Sequence, residues 1–420
     1  MKKAYFVGIG GIGMSALAQL LKDEGVTVSG SDREESPTTE LLKKKGIAVH
    51  IGQKAENVPP DADTVIYTEA AWEDNVERLE AKKLGLPQQS YFEALGEVSR
   101  RKRTIAVAGT HGKTTTTAML ARILLYADAS PTAVVGSLVK DFGSNYLAGK
   151  SDLLVVEACE YKRDFLTLTP DILIVTNIEW DHTDYYKDAA GVQSAFRELM
   201  EKARVVVTDA GSPSIAPLLE GLRAEVVDYK LEQKYEIALP GEFNANNARA
   251  AAAAARAVLP DIDQASLSKS LASFQGTWRR FDYRGKTKKG ADVYDDYAHH
   301  PTAVMKTLGE VKKRATGRIF VAFHPHLYSR TRDLLPEFAR AFKNADRVLI
   351  APIYPAREED DGSISSAILA EEIRKNGVEA KAATFEEIRR YFETEPEKGD
   401  IVMTMGAGDI YRVADALVER

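Results

Sequence analysis

This sequence of 420 residues contains a single cysteine, Cys159. One thiol excludes an internal disulfide and a zinc site built from cysteines, and it fits a reducing compartment. No apolar run approaches the roughly 20 residues that a helix needs to cross a bilayer. The 56 basic residues are outnumbered by 62 acidic ones, and this net charge of −6 argues against a protein that binds nucleic acid mainly through charge.

The composition that remains, 44% hydrophobic and 28% charged residues, is that of an ordinary globular protein. Short β-prone runs alternate with helical segments along the whole chain, which is typical of parallel sheets covered by helices. The N-terminal MKKAYFVGIGGIGMSALAQLL is interrupted by glycines and lacks a small-residue cleavage site. We therefore interpret it as a strand, a loop and a helix, and not as a signal peptide.

The most specific motif is GTHGKTTT, which begins at Gly109 directly after the β-prone run TIAVA. Glycines let backbone N–H groups face phosphate oxygens, and the helix that follows points its positive end at them. Lys113 can reach the β- and γ-phosphates, and the Thr114 hydroxyl can bind Mg²⁺. The loop is shorter than the general P-loop, since Val107 stands where that motif has its first glycine. A glycine-rich helix start without a ligand is the alternative, and Gly-Lys-Thr after a strand favours the nucleotide site.

A second glycine loop lies near the N-terminus, where GIGGIG (8–13) follows a β-prone run and Asp32 ends the next one. This spacing is typical of a dinucleotide fingerprint. It indicates phosphates and a sugar on a helix N-terminus, and both NAD and another nucleotide diphosphate remain open. A tight turn that only packs the helix on the strand is the alternative without a ligand.

Carboxylates follow two β-prone runs of the middle region. Glu157 and Glu160 follow LLVV, where the active sites of open α/β sheets lie. Glu157 is predicted to bind Mg²⁺ beside the ATP phosphates, because a hard cation prefers carboxylate oxygen. His182 lies in TNIEWDH beyond another strand end, and its polar neighbours leave a ligand role and a structural role open.

The last third of the chain concentrates histidines and arginines. Four of the seven histidines lie there, close to several arginines: His299, His300, His324 and His326, with Arg279, Arg280 and Arg330. A pocket for a carboxylate or phosphate is favoured over a transition-metal site, because no cysteine or carboxylate set completes the ligands. The pair Arg279 and Arg280 is either a source of charge for a transferring phosphoryl group or a solvated pair at a domain boundary.

Taken together, GIGGIGMSALA, GTHGKTTT, TNIEWDH, WRRF, DDYAHHPTAV, IYPARE and MGAGDIY resemble the Mur ligases of peptidoglycan synthesis, over essentially the whole chain. The resemblance implies an α/β fold with three domains. These are a Rossmann-like domain for a UDP substrate (1–102), a central P-loop ATPase domain with a mostly parallel sheet (103–277) and a Rossmann-like amino-acid domain (278–420). It also implies a cytoplasmic monomer or homodimer with small-molecule substrates, ATP and Mg²⁺, and no nucleic acid or membrane insertion.

The chemistry implied by the resemblance is amide formation. ATP phosphorylates the carboxylate of UDP-N-acetylmuramate, and the amine of L-alanine attacks the acyl phosphate, so ADP and phosphate are released. Catalysis is then positioning and charge stabilisation, without a protein nucleophile. The resemblance implies catalytic roles for Lys113, Glu157, His182 and Arg280, and Mg²⁺ ligation by Thr114, Glu157 and His182.

The resemblance also implies two sets of binding residues. Those for the nucleotide are Gly109, Thr110, His111, Gly112, Lys113, Thr114, Thr115, Asn247 and Asp296. Those for the UDP substrate and the amino acid are Gly10, Gly11, Ile12, Gly13, Asp32, Tyr297, His299, His326 and Arg330.

Several positions depart from the family pattern. The usual Glu-Ala-Asp-Glu-Ser-Asp run carries Cys159, Tyr161 and Lys162, and the histidine of the adenine motif is Phe243. Leu327 replaces an arginine that would help to hold a carboxylate, which leaves the acceptor amino acid open. Tyr161 resembles the sister ligase that recycles whole peptides, so that activity is the main alternative. An NAD-dependent oxidoreductase and a nucleotide sensor without catalysis are more remote.

Overall fold

The computed structural model describes residues 1–418, and the chain divides into two compact units. Unit 1 comprises Met1–Glu179, Ala190–Ala238 and Ala245–Gln275, and unit 2 comprises Trp180–Ala189, Leu239–Asn244 and the chain from Gly276 onward. Three sheets with their helices form three α/β domains; the first two belong to unit 1 and the third to unit 2. The α/β fold with mostly parallel sheets is confirmed, and the boundaries at 102 and 277 stay a prediction.

The first sheet consists of five parallel strands with helices between them. The strands are β1 (Lys3–Val7), β2 (Thr27–Asp32), β3 (Ala48–Ile51), β4 (Thr64–Tyr67) and β5 (Gln88–Ser90), in the order β3-β2-β1-β4-β5. The helices are α1 (Ile12–Asp23), α2 (Pro37–Lys44), α3 (Val76–Lys83) and α4 (Tyr91–Ser99), with a 3₁₀ turn at Ala55–Asn57. Ser36 and Ser90 begin α2 and α4 with capping boxes, which satisfy the first backbone N–H groups.

The second sheet has seven strands, six of them parallel. They are β6 (Arg103–Ala108), β7 (Thr132–Val139), β8 (Ser144–Leu147), β9 (Leu153–Glu157), β10 (Ile172–Val175), β11 (Val205–Thr208) and β12 (Glu225–Asp228). Their order is β12-β11-β10-β6-β9-β7-β8, and β8 runs antiparallel to β7. The helices are α5 (Lys113–Tyr126), α6 (Ala189–Met200), α7 (Ala216–Leu219), α8 (Glu242–Val258) and α9 (Gln264–Ala272), with 3₁₀ segments at Tyr161–Thr167 and Tyr229–Leu231. Strand β10 is fully buried, as expected for a central parallel strand.

A polar seam joins the first two domains within unit 1. Asn145 on β8 donates to Ser15 Oγ on α1 at 2.9 Å, and Gln19 donates to Asn145 Oδ1 at 3.2 Å. The next residue of β8, Tyr146, donates its hydroxyl to Asp23 at the end of α1 at 2.9 Å. The seam explains why the two sheets form one compact unit, because these buried polar groups satisfy each other only while α1 lies against the β7–β8 hairpin.

The third sheet has six strands. They are β13 (Asp282–Lys286), β14 (Asp292–Asp296), β15 (Ile319–His324), β16 (Arg347–Ile350), β17 (Glu379–Ala382) and β18 (Ile401–Gly406). Their order is β13-β14-β18-β15-β16-β17, and only the edge strand β13 is antiparallel. The helices are α10 (Pro301–Arg314), α11 (Tyr328–Asp333), α12 (Leu335–Ala341), α13 (Ser366–Lys375), α14 (Phe385–Thr394) and α15 (Tyr411–Leu417). Phe323 packs against Phe338 and Phe342 in one core, and Phe320 packs against Phe392 in the other.

Among residues 1–418 no helix combines the length and the apolar character that a membrane crossing requires.

Candidate active site

The loop between β6 and α5 depends on two glycines. Gly109 has φ 136° and Gly112 has φ 84°, which are left-handed conformations that side chains rarely adopt. A Cβ on Gly112 would also lie 2.4 Å from Oδ1 of Asn247 on α8. Helix α5 begins without a side-chain cap, so its N-terminus keeps backbone donors that suit an anion.

The segment after β10 holds this loop in shape. The backbone N–H of His111 donates to Asn177 Oδ1 at 2.9 Å, and Asn177 Nδ2 donates back to the His111 carbonyl at 2.9 Å. Thr110 Oγ1 accepts from the Glu179 N–H at 2.8 Å, and the imidazole of His111 lies 3.4 Å from the Glu179 carboxylate. The loop geometry is therefore fixed by protein contacts before any ligand binds.

Lys113 is buried at the start of α5 beside an acidic partner. Its Nζ donates to Glu160 Oε2 at 2.8 Å and Oε1 at 3.1 Å, and to the carbonyls of Gly109 and Thr110. Burial opposes the charged form, but the Glu160 carboxylate raises the pKa of Lys113 above its ordinary value. The ammonium group therefore keeps its charge and points along the glycine loop.

Oxygen donors suited to a divalent cation lie next to this lysine. Thr114 Oγ1 donates to Glu157 Oε1 at 2.9 Å, and Glu157 Oε2 accepts from the Gly136 N–H at 2.8 Å. A hydroxyl and a carboxylate at a phosphate-binding loop are the hard ligands that Mg²⁺ prefers. The donor set therefore fits Mg²⁺. The next residue, Thr115, which is also predicted to bind the nucleotide, is buried on α5 like Thr114.

The first glycine loop is shaped by Asp32. Its Oδ2 accepts from the Gly10 N–H at 2.8 Å, and its Oδ1 accepts from the Arg33 N–H at 2.8 Å. A Cβ on Gly10 would lie 2.8 Å from this carboxylate, and one on Gly13 would lie 2.7 Å from the Tyr91 ring. Gly11 caps α1 without a side-chain bond and Ile12 begins the helix. The acidic residue predicted to face a sugar thus also organises the loop.

A buried ion pair lies at the centre of unit 2. Arg330 is 1% exposed, and its Nε donates to Asp181 Oδ1 at 2.7 Å. Burial alone would raise the pKa of Asp181, but Arg330 holds that pKa well below its ordinary value. Arg330 Nη1 also donates to His326 Nδ1 at 3.0 Å. His326 therefore carries its proton on Nε2, since arginine can only donate.

His299 and His300, which together with His326 and Arg330 we call the histidine cluster, have defined tautomers as well. His299 Nδ1 donates to the Tyr297 carbonyl at 2.9 Å, which leaves Nε2 as an acceptor. His300 Nδ1 accepts from the Thr302 N–H at the start of α10, so Nε2 donates to the Trp180 carbonyl at 3.3 Å. Burial, with the charge of Arg330 acting in the same direction, lowers the pKa of His299 well below its ordinary value and that of His326 to about 3. The positive charge of Arg330 disfavours a metal ion beside it, and the neutral imidazoles of His299 and His326 each offer one further hydrogen bond.

The two adjacent arginines differ, and neither expected role fits Arg279. Its Nε donates to Asp295 at 2.7 Å, and its two terminal nitrogens donate to the carbonyls of Gly408 at 2.9 Å and Gly406 at 2.6 Å. With 3% exposure it is a buried structural residue, so it is neither a solvated surface charge nor available to a phosphoryl group. Arg280 instead lies over the ring of Tyr297, 4.8 Å from its centroid.

Asp296 also has a structural role. Its two oxygens accept from the N–H groups of Phe281 and Ala298 at 2.8 and 2.7 Å. Burial raises the pKa of Asp296 to about 6, although the charge of Arg280 opposes this.

The structure divides the predicted residues between the two units. Unit 1 holds the residues of the two glycine loops and their neighbours: Gly10, Gly11, Ile12, Gly13, Asp32, Gly109, Thr110, His111, Gly112, Lys113, Thr114, Thr115, Glu157 and Asn247. Unit 2 holds the residues around the buried ion pair: His182, Arg280, Asp296, Tyr297, His299, His326 and Arg330.

Sequence reasoning missed three contacts. It named Glu160 without its bond to Lys113, treated Asp181 only as a polar neighbour of His182, and did not consider Tyr91. Glu160 and Asp181 carry charge opposite to that of their partners Lys113 and Arg330, and both follow the end of a strand. These two features are the signal that could have paired them. Nothing in the sequence indicated the contact between Tyr91 and Gly13.

Three family models match the chain. The model of the Mur ligase family catalytic domain matches residues 3–103, that of the Mur ligase middle domain matches 107–234, and that of the Mur ligase glutamate ligase domain matches 279–408. The second match contains the loop of Lys113, and the third contains the histidine cluster.

Similar proteins cover the chain from end to end. It is 40% identical to the UDP-N-acetylmuramate--L-alanine ligase of Clostridium kluyveri, over 99% of this chain and 97% of the relative. It is 37% identical to the enzyme of that name in Clostridium acetobutylicum, over 100% and 98% of the two chains.

Solved structures are similar over the same length. The UDP-N-acetylmuramate-alanine ligase of Thermotoga maritima matches with a TM-score of 0.82 and 29% identity, over 99% of this chain and 98% of that one. A murein peptide ligase of Psychrobacter arcticus matches with a TM-score of 0.76 and 24% identity, over 99% and 98%, and supports the fold alone.

Proposed function

Because this chain belongs to the Mur ligase family, we propose that it is an enzyme that joins UDP-N-acetylmuramate to L-alanine with the energy of ATP. The observation that carries this is that Lys113 and Thr114 begin the uncapped helix α5, and that Thr114 donates to Glu157 at the end of β9. The 40% identity over nearly the whole length of a relative of that name supports the same substrate pair. The product would be a precursor for peptidoglycan synthesis.

The reaction begins with phosphoryl transfer. A free carboxylate is a poor electrophile, so the lactoyl carboxylate attacks the γ-phosphorus of ATP and ADP leaves. Lys113 stabilises the charge that develops on the β- and γ-phosphate oxygens, and the backbone N–H groups at the uncapped start of α5 hold the phosphates in line. Asn177 contributes indirectly, because it holds the backbone of His111.

The second step forms the amide. The amine of alanine attacks the acyl phosphate, and the tetrahedral intermediate expels phosphate. We assign the amino acid and the lactoyl end to Arg330, His299, His326 and Tyr297. The neutral His299 offers an acceptor at Nε2 and His326 offers a donor at Nε2, so the pair can hold groups of both kinds. Arg280 supplies a further positive charge.

Mg²⁺ is assigned to Thr114 and Glu157, with His182 as a further ligand. Bound there, it would neutralise phosphate charge and orient the oxygens of ATP. The hydrogen bond between Thr114 and Glu157 supports this assignment, because it places two oxygen ligands 2.9 Å apart.

The remaining roles follow the domain order. We assign the UDP substrate to residues 1–102 with Gly10–Gly13 and Asp32, ATP to 103–277 with Asn247 near the adenine, and the amino acid to 278–420. Asp296 is assigned to the nucleotide side of the last domain. A cytoplasmic location fits the single cysteine and the nucleotide substrates.

Leu327 does not offer a polar group to the acceptor. Its side chain is 1% exposed and its φ is 72° at the start of α11, so it is a buried strained residue. The carboxylate of the acceptor therefore depends on other cations, of which Arg330 is the buried candidate.

The test is phosphate release from ATP with Mg²⁺ and UDP-N-acetylmuramate, with L-alanine, L-serine, glycine or the cell-wall tripeptide as acceptor. We expect release that depends on L-alanine and disappears in Lys113→Ala. Release only with the tripeptide would instead identify the recycling activity. No release with any acceptor would contradict the proposal.

A further inference from the structure

We propose that Glu160 competes with the nucleotide phosphates for Lys113, and that it thereby weakens the binding of ATP and ADP. The inference rests on the proposed function only in requiring that the P-loop binds a nucleotide. Glu160 is a positioning residue in this account, because it acts through Lys113 and not on the substrate.

The hydrogen bonds of Lys113 are the first observation. An ammonium group has three N–H donors, and here they face both Glu160 oxygens and the carbonyls of Gly109 and Thr110. Its donating capacity is thus taken up inside the protein. Lys113 must give up at least one of these contacts when it turns to a phosphate.

The burial of Glu160 is the second observation. The residue is 1% exposed, so water cannot take over the ammonium's role when Lys113 turns away. Its charge then remains near the phosphates, and like charges repel strongly where the surroundings are poorly polarisable. Nucleotide binding and the Lys113–Glu160 contact therefore oppose each other, and such coupling is reciprocal.

The backbone keeps Glu160 in place. The Arg163 N–H donates to the Glu160 carbonyl at 3.0 Å, and the Phe165 N–H donates to the Cys159 carbonyl at 3.1 Å. Lys162 and Arg163 both have positive φ, 50° and 63°, which fixes a tight turn directly after Glu160. The backbone at Glu160 is therefore fixed, and burial of the side chain keeps its carboxylate beside the loop.

Glu157 differs from Glu160 although both follow β9. Glu157 accepts from Thr114 and from the Gly136 N–H, so it belongs to the assigned cation site. Glu160 contacts the lysine. The hydrogen bonds that Lys113 makes to a side chain go to Glu160, so competition for Lys113 concerns Glu160.

The consequence is a balance between holding and releasing the nucleotide. ADP must leave after each turnover, and product release limits the turnover rate of many enzymes. A built-in anion that reclaims Lys113 lowers the affinity for ADP and favours its release.

The primary experiment compares Glu160→Gln with the unmodified protein by calorimetric titration with ADP and Mg²⁺. Glutamine keeps the shape and removes the charge, so we expect ADP to bind at least about fivefold more tightly, the lower end of typical coupling between two events. Equal or weaker ADP binding by the folded variant would overturn the proposal, because a merely structural role predicts weaker binding.

The matched control is Glu77→Gln. Glu77 is also a fully buried carboxylate, held by Tyr5, Ser31 and Asn57 in the first domain. We expect its ADP affinity to stay that of the unmodified protein. Equal tightening in both variants would refute a specific action through Lys113.

A second variant covers the case in which Glu160→Gln does not fold. Glu160→Asp keeps the charge but withdraws it by one methylene, so ADP should again bind more tightly than to the unmodified protein. Unchanged or weaker binding would contradict the competition.

Thermal unfolding without nucleotide tests the ion pair itself. Lys113→Met removes the ammonium group beside the buried Glu160 carboxylate, so the Tm of this variant should fall below that of the double variant Lys113→Met/Glu160→Gln. A double variant with an equal or lower Tm would show that the pair does not form.

These outcomes separate the inference from the proposed function. Tighter ADP binding without any ligase turnover would keep the competition and contradict the ligase assignment. No ADP binding by the unmodified protein would overturn both.

Discussion

The phosphate loop of unit 1 and the histidine cluster of unit 2 both bury ionisable groups, but they treat charge in opposite ways. In the first, Lys113 keeps its charge because a carboxylate lies beside it. In the second, His299 and His326 stay neutral because burial and Arg330 both disfavour a further positive charge. The first arrangement is suited to an anionic ligand of high charge, and the second to groups that donate or accept single hydrogen bonds.

In both regions, a buried charged side chain lies beside a side chain of opposite charge. Lys113 has Glu160, and Arg330 has Asp181. The histidines have hydrogen-bond partners that fix their protons: carbonyl and amide groups for His299 and His300, and the guanidinium of Arg330 for His326. This predicts large effects when a partner is removed and small effects when a neutral group is replaced.

The largest effect is expected at Lys113. Lys113→Ala removes the only side-chain cation on the loop, so phosphate release should fall at least about 100-fold, as when one preorganised donor is lost. The measurement is the steady-state rate at saturating ATP. Lys150→Ala, an exposed lysine of the same domain, should keep the normal rate. A Lys113→Ala enzyme with normal turnover would remove the contrast between the two regions.

The second effect concerns Arg330. Arg330→Met leaves Asp181 buried without its cation, which should lower the free energy of unfolding by about 3–5 kcal/mol. Arg330→Met/Asp181→Asn should recover much of this loss. Urea unfolding of the three proteins measures it. If the single and double variants are equally unstable, the pair is not the source of the stability.

The third effect is a dependence on pH in unit 2. Burial lowers the pKa of His324 from 6.5 to about 4, so the folded state resists its protonation. Because the folded pKa is below the unfolded one, the stabilisation is present above pH 6.5 and is lost as the pH falls to about 4. The full loss amounts to about 3 kcal/mol.

His324→Gln should remove this part of the acid sensitivity. Unfolding free energies at pH 7 and pH 4.5 measure it, and His50→Gln, at an exposed histidine, is the control. An equal loss of stability on acidification in His324→Gln and the unmodified protein would contradict the assigned pKa.

The smallest effect is expected at Cys159. Burial raises the pKa of its thiol to about 12, and the charge of Glu160 acts in the same direction. A thiol in this state is a poor nucleophile. Cys159→Ala should therefore retain turnover within about twofold, because substitutions that remove no specific interaction usually change free energies by less than about 0.5 kcal/mol. An inactive variant would mean that the cysteine takes part in the phosphate site.

The sequence allowed the fold class and the phosphate loop to be predicted, because their signals are local. Gly109–Gly112 and the strand before them are contiguous, and so are GIGGIG and its strand. The buried pairs could not be predicted in this way. Lys113 and Glu160 are distant in sequence and meet because β6 and β9, which precede them, are neighbours in the second sheet. Asp181 and Arg330 follow strands of different sheets and meet because the segment Trp180–Ala189 belongs to unit 2.

The sequence also did not indicate which charged residues have a structural role. Arg279 has the chemistry of a functional residue, yet its three guanidinium nitrogens are all bonded within its own domain. Composition cannot separate a charged side chain that holds the backbone from one that faces a ligand. Leu327 shows the reverse case, since its left-handed backbone is strained without any signal in the residue type.

The contact between Gly13 and Tyr91 bears on how this protein can evolve. A Cβ at position 13 would collide with the ring, so alanine there is acceptable only after position 91 has become smaller. The order of the two substitutions then matters, and one route passes through a damaged intermediate. Among homologues, residues at these two positions should change together, and an ancestral sequence with a smaller residue at position 91 should tolerate alanine at position 13.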